Sequence, residues 1–401
     1  MDTVLAPRQL TITNATAVLP GELLHGATVV VADGLIAAVH DGPPTPADRG
    51  NAPGPVLDAA GAYVMPGLVD THSDGLEKEL MPRPGVQLPL DFGLRSFEGR
   101  VRAAGVTTMF HGVAYEETPS GTRSVAGARR AVAAIRTRAA EPDALIDHRI
   151  LYRLDVRNAE GFDALVADLP LSDGAAAADL PLVSYEDHTP GRGQYSQRVW
   201  YERYIAGLRG LDEAGAEHAV DELISARDSL LDNVDRAMPW LAGHALAGRI
   251  RLIAHDPALE SEVADAVSVG ASIAEFPTTV PAAEAARTAG LRTVCGGPNA
   301  LRGESHSGNV SARQLIGLGL CDGLSSDYMP TTLLGSVAAL VALGVCDLPA
   351  AAALVTSGPA ATVGLVDRGR LVPGLRGDLT VFTLDGALPT VRLTVAQGAA
   401  R

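Results

Sequence analysis

The chain has little of several things that would narrow its class at once. Aromatic residues make up only 4% of its 401 positions, and cysteine occurs three times. No apolar run reaches the 18 or so residues of a membrane-spanning helix, so none is predicted. Cys295, Cys321 and Cys346 are too few and too scattered for a disulfide framework or a zinc ribbon; they read as buried thiols in a reducing compartment. Positive charge is short as well. With 32 Lys and Arg against 47 Asp and Glu, the formal charge is −15, which argues against non-specific nucleic-acid binding. An anionic substrate would also be repelled unless cations within the site reverse the local field. The N-terminal segment has neither a basic leader nor an apolar core, so a cytoplasmic location is expected.

What is abundant is small and aliphatic. Hydrophobic residues reach 47%, with 43 Gly and 26 Pro, the texture of an α/β protein with many short turns. Both ends of the chain read as β structure. Leu10–Thr13, Ala27–Val31 and Leu35–Val39 are strand-like, with Asp33-Gly34 a hairpin signal, and Asp378–Phe382 and Val391–Val395 match them at the far end. The Pro- and Gly-rich stretch Pro43–Pro55 and the alanines at 175–178 read as loops. Residues 1–65 and 366–401 are therefore expected to fold together as a small β-sandwich domain around a larger unit, residues 66–365.

The middle alternates short apolar strands with amphipathic stretches. Strands are predicted at Leu68–His72, Thr107–His111, Ile150–Val156, Leu182–His188, Arg251–His255, Ser272–Pro277, Arg292–Cys295 and Gly323–Asp327. Helical spacing links Leu94, Phe97 and Val101, and again Leu259, Val263 and Val267 before Gly270. Eight strands predict a TIM-like (β/α)8 barrel. The rival, a doubly wound sheet, lacks any Gly-x-Gly-x-x-Gly after a strand.

Five of those strands end in a residue able to bind a metal: His72 and Asp74, Asp155, His188, His255, and Asp327. Each alone has a plain explanation, a helix-capping Asp or a hydrogen-bonded core His. In a barrel, however, all carboxyl ends meet at one rim, where catalytic groups sit. Imidazole and carboxylate together suit zinc, manganese or iron(II). Such a site, with one ion or two and two favoured, supplies hydroxide at neutral pH, and Asp327 is placed to accept the proton of the attacking water.

Several blocks go further. The segment PGLVDTH-S-D, the strand-ending ligands, the split β domain and Val372-Pro373-Gly374-x-x-Gly377-Asp378-Leu379 resemble the amidohydrolase superfamily. HSDGLEKELMPRPGV (His72–Val86), EDHTPGRGQY (Glu186–Tyr195), IAEFPTT (Ile273–Thr279), GGPNALRGESHSGN (Gly296–Asn309) and LSSDY (Leu324–Tyr328) are similar to its phosphonate-breakdown branch, in the carbon–phosphorus lyase pathway. The resemblance implies hydrolysis of a ribose 5-triphosphate carrying a C1 methylphosphonate, between the α- and β-phosphoryl groups, with release of pyrophosphate. It also makes a homodimer an expectation.

Phosphate binding would fall to rim-loop residues: Lys78, Arg83, Arg192, Arg302, Ser305, His306, Ser307 and Asn309. The chain departs from that branch at Asp155, where a Glu is expected, at Glu304 for Gly, at His111 for Asp and at Gly75 for Asn. Such changes fit a paralogue acting on another phosphonate-bearing triphosphate. Two other readings stay open. One is attack on a C–N bond, as in deaminases; the other is a barrel that has lost catalysis and serves as a scaffold, against which stands the retention of every candidate ligand.

Overall fold

The computed structural model describes residues 8–51, 54–83, 85–118, 123–305 and 307–396. Five strands open the chain: β1 (Leu10–Leu19), β2 (Glu22–Ala32), β3 (Leu35–Asp41), β4 (Val56–Asp58) and β5 (Tyr63–Pro66). Eight more follow: β6 (Leu68–Ser73), β7 (Val106–Tyr115), β8 (Asp147–Asp155), β9 (Leu182–Glu186), β10 (Arg251–His255), β11 (Ala271–Glu275), β12 (Arg292–Gly296) and β13 (Gly323–Ser325). Two close it, β14 (Leu379–Asp385) and β15 (Leu388–Val395).

The terminal strands form one mixed sheet in the order β15-β14-β5-β1-β2-β3, with β4 paired to β1. The far end of the chain joins the near end where β14 runs antiparallel to β5, Leu379 opposite Pro66 and Phe382 opposite Tyr63. Burial of Leu10, Ile12, Val29, Val31, Val64 and Val381 gives this sheet its own apolar core. The expected loop after β3 holds a short helix, Pro46–Asn51. Thr45 and Asp48 start it by exchanging bonds: Asp48 N–H donates to Thr45 Oγ1 at 3.2 Å, and Thr45 N–H to Asp48 Oδ2 at 2.7 Å.

The eight middle strands make a parallel barrel, β6 through β13 in sequence order, as the alternation of strands and helices predicts. The helix Leu90–Ala103 buries Leu94, Phe97 and Val101, as their spacing requires. The helix Glu260–Ser268 differs from expectation, burying Val263 and Ala266 while Leu259 and Val267 stay exposed. Leu259 lies just outside it, its N–H bonded to the Glu262 carboxylate at 3.1 Å.

Side chains alternate across each strand, which is what turns this barrel into a site. Val69, Phe110, Leu151, Leu182, Ile253, Ile273 and Val294 pack together inside the barrel as an apolar plug. Two residues further along the same strands stand Thr71, Gly112, Arg153, Ser184, His255, Glu275 and Gly296, three of them ionisable. The interior thus changes from wholly apolar to partly ionisable within one layer.

Close approach between strand and helix constrains Gly161, in the first turn of the helix Ala159–Asp168. A Cβ there would lie 2.2 Å from the Tyr115 carbonyl oxygen. Gly161→Ala is expected to destabilise the fold by about 1–3 kcal/mol through overpacking, read as a lowered midpoint in thermal or urea unfolding.

Candidate metal centre

β6 and β13 complete the barrel at the site itself. Asp327 N–H donates to the His72 carbonyl at 3.0 Å, and Asp74 N–H to the Asp327 carbonyl at 2.5 Å. Beneath them the buried Asp70 accepts from Ser326 N–H at 2.9 Å. His72, Asp74 and Asp327 are thereby held side by side, with His72 Nε2 3.3 Å from Asp74 Oδ1.

The histidines gather around two glutamates. Glu275, fully buried on β11, places Oε2 2.9 Å from Nδ1 of both His72 and His255. Both rings are thus held with Nε2 facing elsewhere. Glu186, at the end of β9, lies 3.9 Å from His188 Nε2 and 3.8 Å from His255 Nε2. Asp256 flanks the same two nitrogens at 3.7 and 3.4 Å. Three overlapping groups result, His72/His255/Glu275, Glu186/His188/His255 and His72/Asp74/Asp327, each with ligand atoms within 4.8 Å of one another.

The backbone is bent to make this possible. Asp256, Phe276 and Asp327, immediately past β10, β11 and the seam at β13, adopt φ of 53°, 53° and 55°. Left-handed backbone at a non-glycine residue costs about 1–3 kcal/mol and gathers at functional sites. Asp tolerates it; the bulky Phe276 does so only as a strained wall, its ring 5.3 Å from that of His72 and 5.4 Å from that of His255.

Electrostatics follow from burial and crowding. Burial would raise the Glu186 carboxyl, but Arg153, His188 and His255 outweigh it and hold it well below the usual range. Glu275 is likewise brought down to about 2 by His72 and His255 against burial. Burial would lower His188, yet Glu186 and Asp256 hold it up at about 9. Burial and then the neighbouring Asp74 push Asp327 up to about 6. Buried His72 Nε2, Asp74 Oδ1, Glu186 Oε1, His188 Nε2 and Asp256 Oδ2 have no hydrogen-bond partner. So many unpaired donors and acceptors facing one another would be costly in a finished core. Nitrogen and oxygen donors in this mixture fit a divalent cation of the zinc or manganese kind.

Not every expected residue arrives. Asp155 stands apart, both its oxygens bound by Arg227 at 2.5 and 3.0 Å. That pair belongs to a lattice in which Arg227 and Arg157 also grip Asp187, next to His188. Glu186, one strand later, lies within reach of two histidines instead. His111, not among the expected ligands, is packed in the core, its Nε2 2.9 Å from His148 Nδ1, whose other nitrogen meets Glu98.

A cavity of about 570 Å³ opens above the donors. Lys78, the chain's one lysine, Arg302, Ser305, Ser307 and Asn309 line it. Arg83 and Arg192 do not; Arg192 points outward, its side chain 58% exposed. His306 lies outside the described residues. Glu304 is on the wall 3.5 Å from Arg302. Arg123, Arg153, Tyr195, Tyr201 and Tyr204, none of them singled out as site residues in the sequence, also line the cavity.

Fold, donors and cavity define a metal-dependent hydrolase, and the chain belongs to the amidohydrolase superfamily. It is 33% identical over 380 residues to the α-D-ribose 1-methylphosphonate 5-triphosphate diphosphatase of Escherichia coli (strain K12), covering 92% of this chain and 94% of that one. Among solved structures, a metal-dependent hydrolase from Pyrococcus furiosus superposes with a TM-score of 0.60 at 12% identity, over 95% of this chain and 100% of that one. Enamidase, a member of the superfamily, gives 0.56 at 16%, over 98% and 95%. No model of a known protein family matches.

Two outcomes are expected. Glu275→Gln, which weakens the hold on both imidazoles, should lower divalent-metal affinity by about 10–100-fold in a chelator competition. In the ion-free protein the folded state keeps a proton on His188 up to about pH 9, whereas an unperturbed imidazole releases it near 6.5. Folding is then favoured by that proton below pH 6.5, and the gain is lost as pH rises through the interval to 9. Thermal melts of chelator-treated protein should show this fall, and His188→Gln should remove it.

Proposed function

We propose that the protein hydrolyses α-D-ribose 1-methylphosphonate 5-triphosphate to the 5-phosphate and pyrophosphate, a cytoplasmic step in phosphonate breakdown. The observation that carries this reading is the donor cluster at the floor of a cavity whose wall holds Lys78, Arg302 and a run of small hydrogen-bonding side chains. The likeness to the Escherichia coli diphosphatase, which spans nearly both chains, supports the choice of substrate.

Metal would be held by His188, His255 and Glu186, with His72, Asp74 and Asp327 as the neighbouring set. A divalent ion there supplies Lewis acidity, neutralising phosphoryl charge and lowering the pKa of water. The remaining roles fall to the chain. Lys78 and Arg302 offset charge on the β- and γ-phosphoryl groups, and Ser305, Ser307 and Asn309 donate hydrogen bonds to their oxygens. The oxygen of water attacks the α-phosphorus as the bond from that phosphorus to the bridging oxygen breaks. Pyrophosphate leaves, and the water's proton passes to an Asp327 carboxylate oxygen. Burial beside Asp74 suits Asp327 to that work by drawing its affinity for protons towards neutrality.

Incubation with 5-triphosphorylated ribosides, followed by phosphorus NMR, should show pyrophosphate. Asp327→Asn should lose about 100-fold or more in turnover, and a chelator should abolish it until zinc or manganese is restored. Orthophosphate alone would move the scissile bond outward. Ammonia from an aminated substrate, or ring opening of a cyclic amide, with no phosphate release, would favour C–N hydrolysis.

A further inference from the structure

One cation is already built into the site. Arg153, on β8 and 4% exposed, reaches between the two sets of donors. Its Nη1 donates to Asp74 Oδ2 at 2.5 Å, while Nη2 and Nε meet Glu186 Oε2 at 2.9 and 3.3 Å. A guanidinium keeps its charge at any working pH. The neighbouring strand is bare to admit it: a Cβ on Gly112 would lie 2.4 Å from Asp74 Oδ1 and 3.2 Å from Arg153 Cδ.

The two sets are not equal competitors for an ion. Asp74 is gripped by Arg153 and also by Arg123, whose Nη2 is 3.2 Å away. The set it belongs to offers a single imidazole, His72, with Asp327 and a carboxylate, Asp74, shared with two guanidinium groups. The other set offers two imidazoles, His188 and His255, with Glu186 and Asp256, and is opposed by Arg153 alone.

We propose that Arg153 takes the place of a second metal ion, so that each chain holds one divalent ion, between His188 and His255, and Asp327 remains metal-free. This rests on the hydrolase reading above and deepens it: an Asp327 that binds no ion is available for the proton of the attacking water. It replaces the sequence-based expectation of two ions.

The test counts metal rather than turnover. Full-length protein is loaded with excess zinc or manganese, freed of unbound ion, and analysed by plasma mass spectrometry. One ion per chain is expected in the wild type. His188→Ala should lose it, Asp327→Asn should keep it, and Arg153→Met, which uncovers Asp74 and Glu186, should gain a second. Two ions in the wild type would overturn the proposal and leave the hydrolase reading intact; none would overturn both. An ion kept by His188→Ala and lost by Asp327→Asn would place it in the wrong set and sink the proposal. Should Arg153→Met fail to fold, the wild type and the other two variants still decide.

Discussion

The seam between β6 and β13 is the contact on which the rest of the molecule depends. β13 has three residues, and just past it the backbone of His72, Asp74 and Asp327 joins the last strand of the barrel to the first. Ser326 adds a bond from its N–H to Asp70 and one from its hydroxyl to Ser73. The residue that would take the proton of water, Asp327, is thus among those that shut the cylinder. Ordering the site and closing the fold are one event, so the spacing of the reacting groups is set by strand geometry and not by loop conformation.

Around that seam, charge is arranged in tiers. Carboxylates from four strands or their ends, Asp74, Glu186, Glu275 and Asp327, converge on the interior, an arrangement that could not stand unpaired. They are answered in three ways. Arg153 serves Asp74 and Glu186, the two imidazoles serve Glu275, and Asp327 keeps its proton to higher pH than an exposed carboxyl. A further tier, Asp155, Arg227, Asp187 and Arg157, fastens the segment that carries His188. A chain of net charge −15 can in this way present a cavity fit for an anion.

The architecture was legible because each barrel strand is an apolar run bounded by turn residues, and all eight predicted strands coincide with observed ones. The candidate ligands were legible where the donor stands at or next to the end of its strand, as at His255 and His72. Glu275 was hidden because the strand was read to Pro277, which drew attention to Phe276-Pro277; counting by twos from the inward Ile273 would have found it. The same count from Leu151 reaches Arg153 and then Asp155, which was expected among the ligands. Its capture by Arg227, 72 residues away in the chain, was not, since such a partner is fixed only by tertiary packing. The same holds for the tyrosines of the helix Arg198–Arg209, whose spacing is equally that of a packing face.

Phe276 shows what the arrangement demands of the chain over evolutionary time. Its left-handed backbone would relax with glycine, so mutational drift towards a hardier protein is drawn to that position. Yet the ring it would discard is the wall against which His72 and His255 rest. Heat tolerance and a well-aimed pair of imidazoles are therefore antagonists at one residue.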